Sequence, residues 1–413
     1  MWTWFKELGK DERHVFWACL GGWALDGMDV QIYSFVMPSL IGLWKLTNTQ
    51  AGMLGTATLL LSALGGWLAG LLSDRFGRVR VLKVTILWYA LFTFLSGFTN
   101  SFWQLLITRG LQGLGFGGEW AAGAVLLGEV IVARHRGKAV GVVQGGWALG
   151  WGAAAIAYTI VFSILPVSWA WRAMFFLGLT PALLVIYIQR YVREPEVFEA
   201  TRREVEARQQ RFTFLEIFAP SLLPTTLLAA MLVTGAQGGY YAITIWLPTF
   251  LKTVRHLSVL NTGGYLFVVI VGSLFGYLTA AYLSDAIGRR RTFFLFAVSS
   301  TMIVLLYSYL PISDFVMLFL GFPLGFFASG VFSGLGPFLT ELFPSRVRGS
   351  GQGFAYNFGR AIGALFPTMV GRLSSHMPLG QAIGLFALLA YSLMVLATLP
   401  LPETRGKTLE VYN

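Results

Sequence analysis

Five ionisable side chains stand where an apolar chain rarely keeps them. Asp26, Asp29, Arg109, Glu119 and Arg360 each interrupt a long hydrophobic stretch of this 413-residue sequence. A charge near the middle of a bilayer costs on the order of 2.5–3.5 kcal/mol on the mildest scale, so such residues are functional by default. Two kinds of chemistry are open to them. A carboxylate withdrawn from water can take up and release a proton. An arginine offers a planar fork of donors that matches a carboxylate ligand.

Their spacing narrows the roles. Asp26 and Asp29 are three residues apart and share one side of a helix. Arg109 and Glu119 are ten apart, about 15 Å along a helix at ~1.5 Å per residue. An alternating path through the membrane sets Arg109 level with Asp29 and puts Glu119 near the inner end of its span. Arg360 falls near mid-span. The first half therefore holds carboxylates with one arginine, and the second holds a lone arginine. We expect Arg360 to anchor an anion, Asp26, Asp29 or Glu119 to carry a proton, and Arg109 to tune that proton. Polar and aromatic candidates for the substrate surface are Gln112, Gln144 and Trp147, then Gln237, Tyr240, Tyr241, Tyr356 and Asn357. An aromatic lining suits a ligand with an apolar or ring-shaped body.

The elements that must position these residues are membrane helices. The chain is 56% hydrophobic and 12% charged, too little charge to cover a soluble protein of this length. Apolar runs of ~20 residues, each able to cross a bilayer as a helix, recur at 14–38, 50–72, 81–99, 101–128, 137–163, 170–191, 216–250, 261–283, 292–310, 313–341, 349–373 and 380–401. The predicted fold is all-α, with about twelve spans in two pseudo-symmetric six-helix bundles. Residues 1–191 form one bundle, 192–211 a charged cytoplasmic linker and 212–413 the other. Lys and Arg crowd alternate loops, so both termini are expected in the cytoplasm of a multi-pass inner-membrane protein. That bias accounts for the net charge of +11, which therefore gives no argument for nucleic acid.

Cys19 is the single cysteine, so neither an internal disulfide nor a cysteine metal cluster is expected. No phosphate-binding loop is present, and no nucleophile–base pair or cofactor motif suggests an enzyme. The energy source is expected to be an ion gradient or the substrate's own gradient, with protons, the lipid bilayer and a small organic anion as partners of a monomer.

The chain also repeats itself. Gly70-Leu71-Leu72-Ser73-Asp74-Arg75-Phe76-Gly77-Arg78 returns as Leu283-Ser284-Asp285-Ala286-Ile287-Gly288-Arg289, with Asp74 and Asp285 211 residues apart. Glu129 precedes Arg136 by seven residues, as Glu341 precedes Arg348, and the two glutamates are 212 apart. Two features at nearly one offset indicate a duplicated helical unit, which is typical of secondary transporters.

The Gly70–Arg80 loop and its second copy resemble the signature loop of the major facilitator superfamily. That resemblance implies a cytoplasmic gate of Gly70, Asp74, Arg75, Gly77, Arg78, Glu129 and Arg136 in one half, and of Asp285, Arg289, Glu341 and Arg348 in the other. Ala286 stands where the first copy has Arg75, which implies a weaker second lock. Leu25-Asp26-Gly27-Met28-Asp29, the run from Arg109 to Trp120 and Trp171-Arg172-Ala173-Met174-Phe175-Phe176 resemble the sialate:proton symporters, and the aspartate pair is similar to that of aromatic-acid:proton symporters. The implied activity is proton-coupled import of a small monocarboxylate such as sialate, lactate or nicotinate. A sugar or polyol symporter and a uniporter or sensor are the alternatives. The glutamine-rich seventh-span pattern of sugar porters is missing from Gly235-Ala236-Gln237-Gly238-Gly239-Tyr240-Tyr241.

Overall fold

A computed structural model describes residues 3–131, 133–194, 214–344 and 347–405. Among them the chain makes twelve helical spans. The first half contains α1 (Lys10–Trp44), α2 (Asn48–Phe76), α3 (Arg78–Ser96), α4 (Phe102–Val130), α5 (Ala133–Ile164) and a broken α6 (Val167–Leu177 and Pro181–Tyr191). The second contains α7 (Leu223–Thr244), α8 (Val259–Ile287), α9 (Arg289–Tyr309), α10 (Asp314–Leu342), a broken α11 (Arg348–Gly363 and Phe366–Leu373) and α12 (Leu379–Thr398). Residues 195–211, most of the expected linker, lie outside the described residues.

Boundaries differ from expectation in two places. The first span runs from Lys10 to Trp44 rather than over 14–38, because Pro38 is accommodated inside the helix. The long run at 216–250 divides: a single tight turn covers Phe214–Phe218 and the helix begins at Leu223, with Pro224 in its first turn, where a missing N–H does no harm.

Eight of the twelve spans are apolar and long enough to cross a membrane by composition alone: α2, α3, α5, α6, α8, α9, α10 and α12. The remaining four are α1, α4, α7 and α11. Those four carry Asp26, Asp29, Arg109, Glu119, Gln237 and Arg360, all buried. Polar residues lower the hydropathy of a span that turns them towards protein rather than lipid.

Glycine sets the closest helix contacts. A Cβ on Gly65 would lie 2.0 Å from the Leu114 carbonyl oxygen, and one on Gly117 would lie 1.7 Å from that of Ser62, so the α2 and α4 backbones touch. The second half repeats this between α8 and α10, where Gly272 faces the Phe322 carbonyl at 2.1 Å and Gly325 that of Val269 at 1.8 Å. Helices in lipid associate through such close packing, since no hydrophobic effect drives them together.

The halves meet along a seam at the end of the bundle opposite the arginine-rich loops. Thr56 Oγ1 donates to the Ala364 carbonyl at 2.6 Å and accepts from Thr368 Oγ1 at 2.7 Å. Asn48 Nδ2 donates to Ser374 Oγ at 2.8 Å. Gly52 and Gly371 let the α2 and α11 backbones close, with hypothetical Cβ atoms 2.4 Å from Pro367 O and 2.2 Å from Asn48 O.

Candidate functional site

Two buried constellations lie side by side near mid-bundle. The first is a charged strip between α1, α3 and α4. Asp26, Asp29, Arg109, Gln112 and Glu119 are each at most 1% exposed. Arg109 donates to Gln112 Oε1 at 2.5 Å, and Gln112 Nε2 donates in turn to Asp29. The Arg109 guanidinium also lies over the Tyr33 ring, 4.7 Å from its centre. Gln112 is thus a bridge inside the charged strip. The reason is helical spacing: three residues after Arg109, it shares that residue's side of α4.

Glu119 departs from expectation in depth. Rather than standing near the inner end, it is sealed beside Asp26, among Gly22, Gly123 and Cys19. A Cβ on Gly22 would fall 2.2 Å from Glu119 Oε1, so Gly22 leaves the space that this carboxyl group takes up. Both Asp26 oxygens, one oxygen of Asp29 and one of Glu119 have no hydrogen-bond partner. Three carboxyl groups therefore share the strip with one guanidinium. Fully ionised, it would hold two uncompensated negative charges away from water, at several kcal/mol each.

The second constellation is a small aromatic cavity between the halves. Trp23, Phe116, Gln144 and Trp147 line it from the first half, and Tyr240, Tyr241, Tyr277, Phe332, Tyr356 and Arg360 from the second. Trp147 Nε1 donates to Tyr240 Oη at 2.7 Å across the interface. Arg360 is 2% exposed. Its guanidinium lies 5.0 Å from the Tyr356 ring centre and 5.5 Å from that of Phe116. Among the described residues no carboxylate stands at ion-pair distance from it, and its Nε has no hydrogen-bond partner.

Two further expected surface residues sit behind the lining. Gln237 accepts from Tyr241 Oη at 2.7 Å and donates to the Tyr356 carbonyl at 3.3 Å, so it braces two cavity tyrosines. Asn357 donates to Gly353 O at 3.0 Å and packs against Gly66 of α2. One residue on from Tyr356, it points to another side of α11. Trp23, Phe116, Tyr277 and Phe332 were missed. Trp23 had a signal, since it lies one turn before Asp26; the other three read as ordinary packing residues.

The arginine-rich end is built twice. Arg78 donates to Glu129 at 3.1 Å and to the Ser73 carbonyl at 2.8 Å. Arg289 pairs with Glu341 at 3.1 Å and with Asp285 at 2.5 Å. Arg348 donates to the Thr340 carbonyl. Arg75 is exposed over the Phe76 ring, and the space around Gly70 is open. The side chains of Asp74 and Arg136 lie outside the described residues.

Sequence reasoning missed one partner in each half. Glu194 accepts from the N–H groups of Val79 and Arg80, at 2.9 and 3.1 Å, and so caps α3. Glu403 accepts from those of Arg289 and Arg290 at the same distances and caps α9. Gly77 and Gly288, with φ of +102° and +101°, turn the chain between the paired helices and leave space for these carboxylates. Partial burial disfavours the charged Glu403. The N–H groups of Arg289, Arg405, Arg290 and Thr404 outweigh that and hold its carboxyl below the usual range.

Comparison with known proteins agrees with this architecture. The profile of the Major Facilitator Superfamily matches residues 20–368 and 266–410. A protein of Cupriavidus pinatubonensis named "Probable 4-methylmuconolactone transporter" is 46% identical over 410 residues, covering 99% of this chain and 95% of the relative. A niacin transporter of Acinetobacter baylyi is 27% identical, covering 98% and 97%. In fold, the inward-open xylose transporter of E. coli superposes with a TM-score of 0.74 at 20% identity, covering 96% of this chain and 98% of that one. A duplicated twelve-span architecture, paired charged loops and a profile match spanning nearly the whole length all place this chain in the Major Facilitator Superfamily of membrane transporters.

Proposed function

We propose that this protein is a proton-coupled importer of a small cyclic monocarboxylate, working by alternating access. The observation that supports this most is Arg360: a buried cation in an aromatic cavity, with no carboxylate at ion-pair distance among the described residues. A buried charge is tolerated when a partner compensates it, and a substrate carboxylate is the partner that fits. Tyr, Trp and Phe around it suit a ring. A lactone-named relative at 46% identity and a niacin-named one favour a ring-bearing acid.

The proton is carried by the strip. Asp29 is engaged by Gln112 and, through it, Arg109. Asp26 and Glu119 face each other without that support, so this pair is the preferred proton carrier. Two adjacent buried carboxylates cannot both ionise cheaply, and one proton between them relieves the repulsion. The bundles 1–191 and 212–413 rock about the cavity. The seam at Thr56, Thr368, Asn48 and Ser374 parts at one end, and the Arg78–Glu129 and Arg289–Glu341 networks act at the other. The arginine-rich end, with both termini, faces the cytoplasm of a bacterial inner membrane. No cofactor other than the proton gradient is needed, and the monomer is the working unit.

The test is uptake into liposomes by purified protein. Lactone acids, nicotinate, benzoate, lactate, sialate, a dicarboxylate such as cis,cis-muconate, and hexoses are each offered with and without an acid-outside gradient. Accumulation of a ring monocarboxylate above equilibrium, dependent on the gradient, is expected. Equilibration without accumulation would make the protein a uniporter. Hexose uptake alone would reject the carboxylate reading.

A further inference from the structure

Trp23 is not used by the mechanism above, yet it is the best-prepared donor on the first-half wall of the cavity. It is 5% exposed and lines the cavity that holds Arg360. Its Nε1 is buried with no hydrogen-bond partner. The other indole in the lining, Trp147, already donates to Tyr240. Trp23 is also fixed in orientation, with ring centres 4.2 Å from Trp120 and 5.0 Å from Trp147. A rigid, unpaired N–H on a residue that lines this cavity is a feature that needs an explanation, since nearly all buried donors find an acceptor.

We propose that the Trp23 indole N–H receives a neutral acceptor on the substrate ring, namely a ring carbonyl such as that of a lactone. This rests on the reading of Arg360 as the carboxylate anchor. The two groups belong to different halves, Trp23 to α1 and Arg360 to α11. A ligand with a carboxylate at one side and a carbonyl at the other would bridge the halves and satisfy both. A ring acid lacking the carbonyl would leave the indole N–H orphaned, at ~1–3 kcal/mol. Trp23 also stands one turn from Asp26 on α1, so the bridge ends next to the proton-carrying pair.

The test is a matched ligand pair on the purified full-length protein, measured by calorimetric binding. One ligand is a γ-butyrolactone carboxylate. The other is cyclopentanecarboxylate, a ring acid of the same size with no acceptor in its ring. Wild type is expected to bind the lactone acid about 5- to 150-fold more tightly, the equivalent of ~1–3 kcal/mol. Trp23→Phe keeps an aromatic ring and removes the N–H. It should weaken the lactone acid by that factor, leave the other acid within about twofold, and bring the ratio towards one. Replacing Trp23 with benzothienylalanine, which puts sulfur in place of the N–H on the same frame, gives the same readout if Trp23→Phe folds poorly. Equal loss of both acids would overturn the proposal and reduce Trp23 to a shaping residue. An unchanged ratio would overturn it too. The methyl esters separate the two readings: esters that bind as well as the acids sink the Arg360 anchor, whatever the Trp23 ratio shows.

Discussion

Replacing Arg360 by glutamine should move stability and affinity in different ways. In the ligand-free protein the guanidinium has no carboxylate partner among the described residues, and it is held over Tyr356 and Phe116 at 5.0 and 5.5 Å. Two such cation–π contacts supply ~0.5–2 kcal/mol each. Burying an unpaired cation costs several kcal/mol in the other direction. The two nearly cancel, so Arg360→Gln should leave the unfolding midpoint unchanged or raise it. A carboxylate ligand reverses the balance. Truncating one partner of a buried charge pair typically costs ~2–5 kcal/mol, which is about 30- to 5,000-fold in affinity at 1.36 kcal/mol per decade. Thermal unfolding in detergent without ligand, followed by the ligand-dependent shift of the same midpoint, reads both quantities on one sample. A midpoint several degrees lower without ligand would mean that Arg360 is a structural cation. Undiminished affinity for the acid would show that the carboxylate docks elsewhere.

Four further outcomes follow from the geometry. Glu119→Gln removes one member of the pair beside Asp26, so gradient-driven accumulation should vanish while ligand exchange across liposomes at equal pH persists; loss of both would assign Glu119 to the fold. Gly371→Ala puts a Cβ 2.2 Å from the Asn48 carbonyl oxygen and 2.9 Å from the Trp246 ring. It should therefore force the seam apart, and a cysteine placed at Thr56 in a Cys19→Ser background should label several-fold faster with an impermeant maleimide. Gly288→Ala meets both a φ of +101° and the Glu403 carboxylate at 2.6 Å, and should cost ~1–3 kcal/mol in thermal stability. Glu403, held below the usual range by its backbone donors, stabilises the α9 cap above the ordinary glutamate value of about 4.3. That contribution is lost as pH falls through the lower folded value. Wild type should then lose stability on acidification more steeply than Glu403→Gln, and parallel curves would rule out the cap's role.

Local pattern determined much of this protein. Apolar length marked the spans, the 211-residue echo of Asp74 in Asp285 marked the duplication, and the cost of burying charge singled out Asp26, Asp29, Arg109, Glu119 and Arg360. These properties belong to a residue and its near neighbours, and a sequence states them directly. The tertiary structure decided which of those residues meet. Glu119 reached Asp26 because Gly22 leaves space on the facing helix, and Gln112 was drawn into the charged strip by its turn on α4. Arg360 and Trp23, more than 300 residues apart, came to share one cavity. Glu194 and Glu403 found helix ends over a hundred residues upstream. Helix periodicity fixes which side chains share a side of one helix. Which sides face each other depends on how closely distant helices can approach, and here that was set by glycine pairs on helices far apart in sequence.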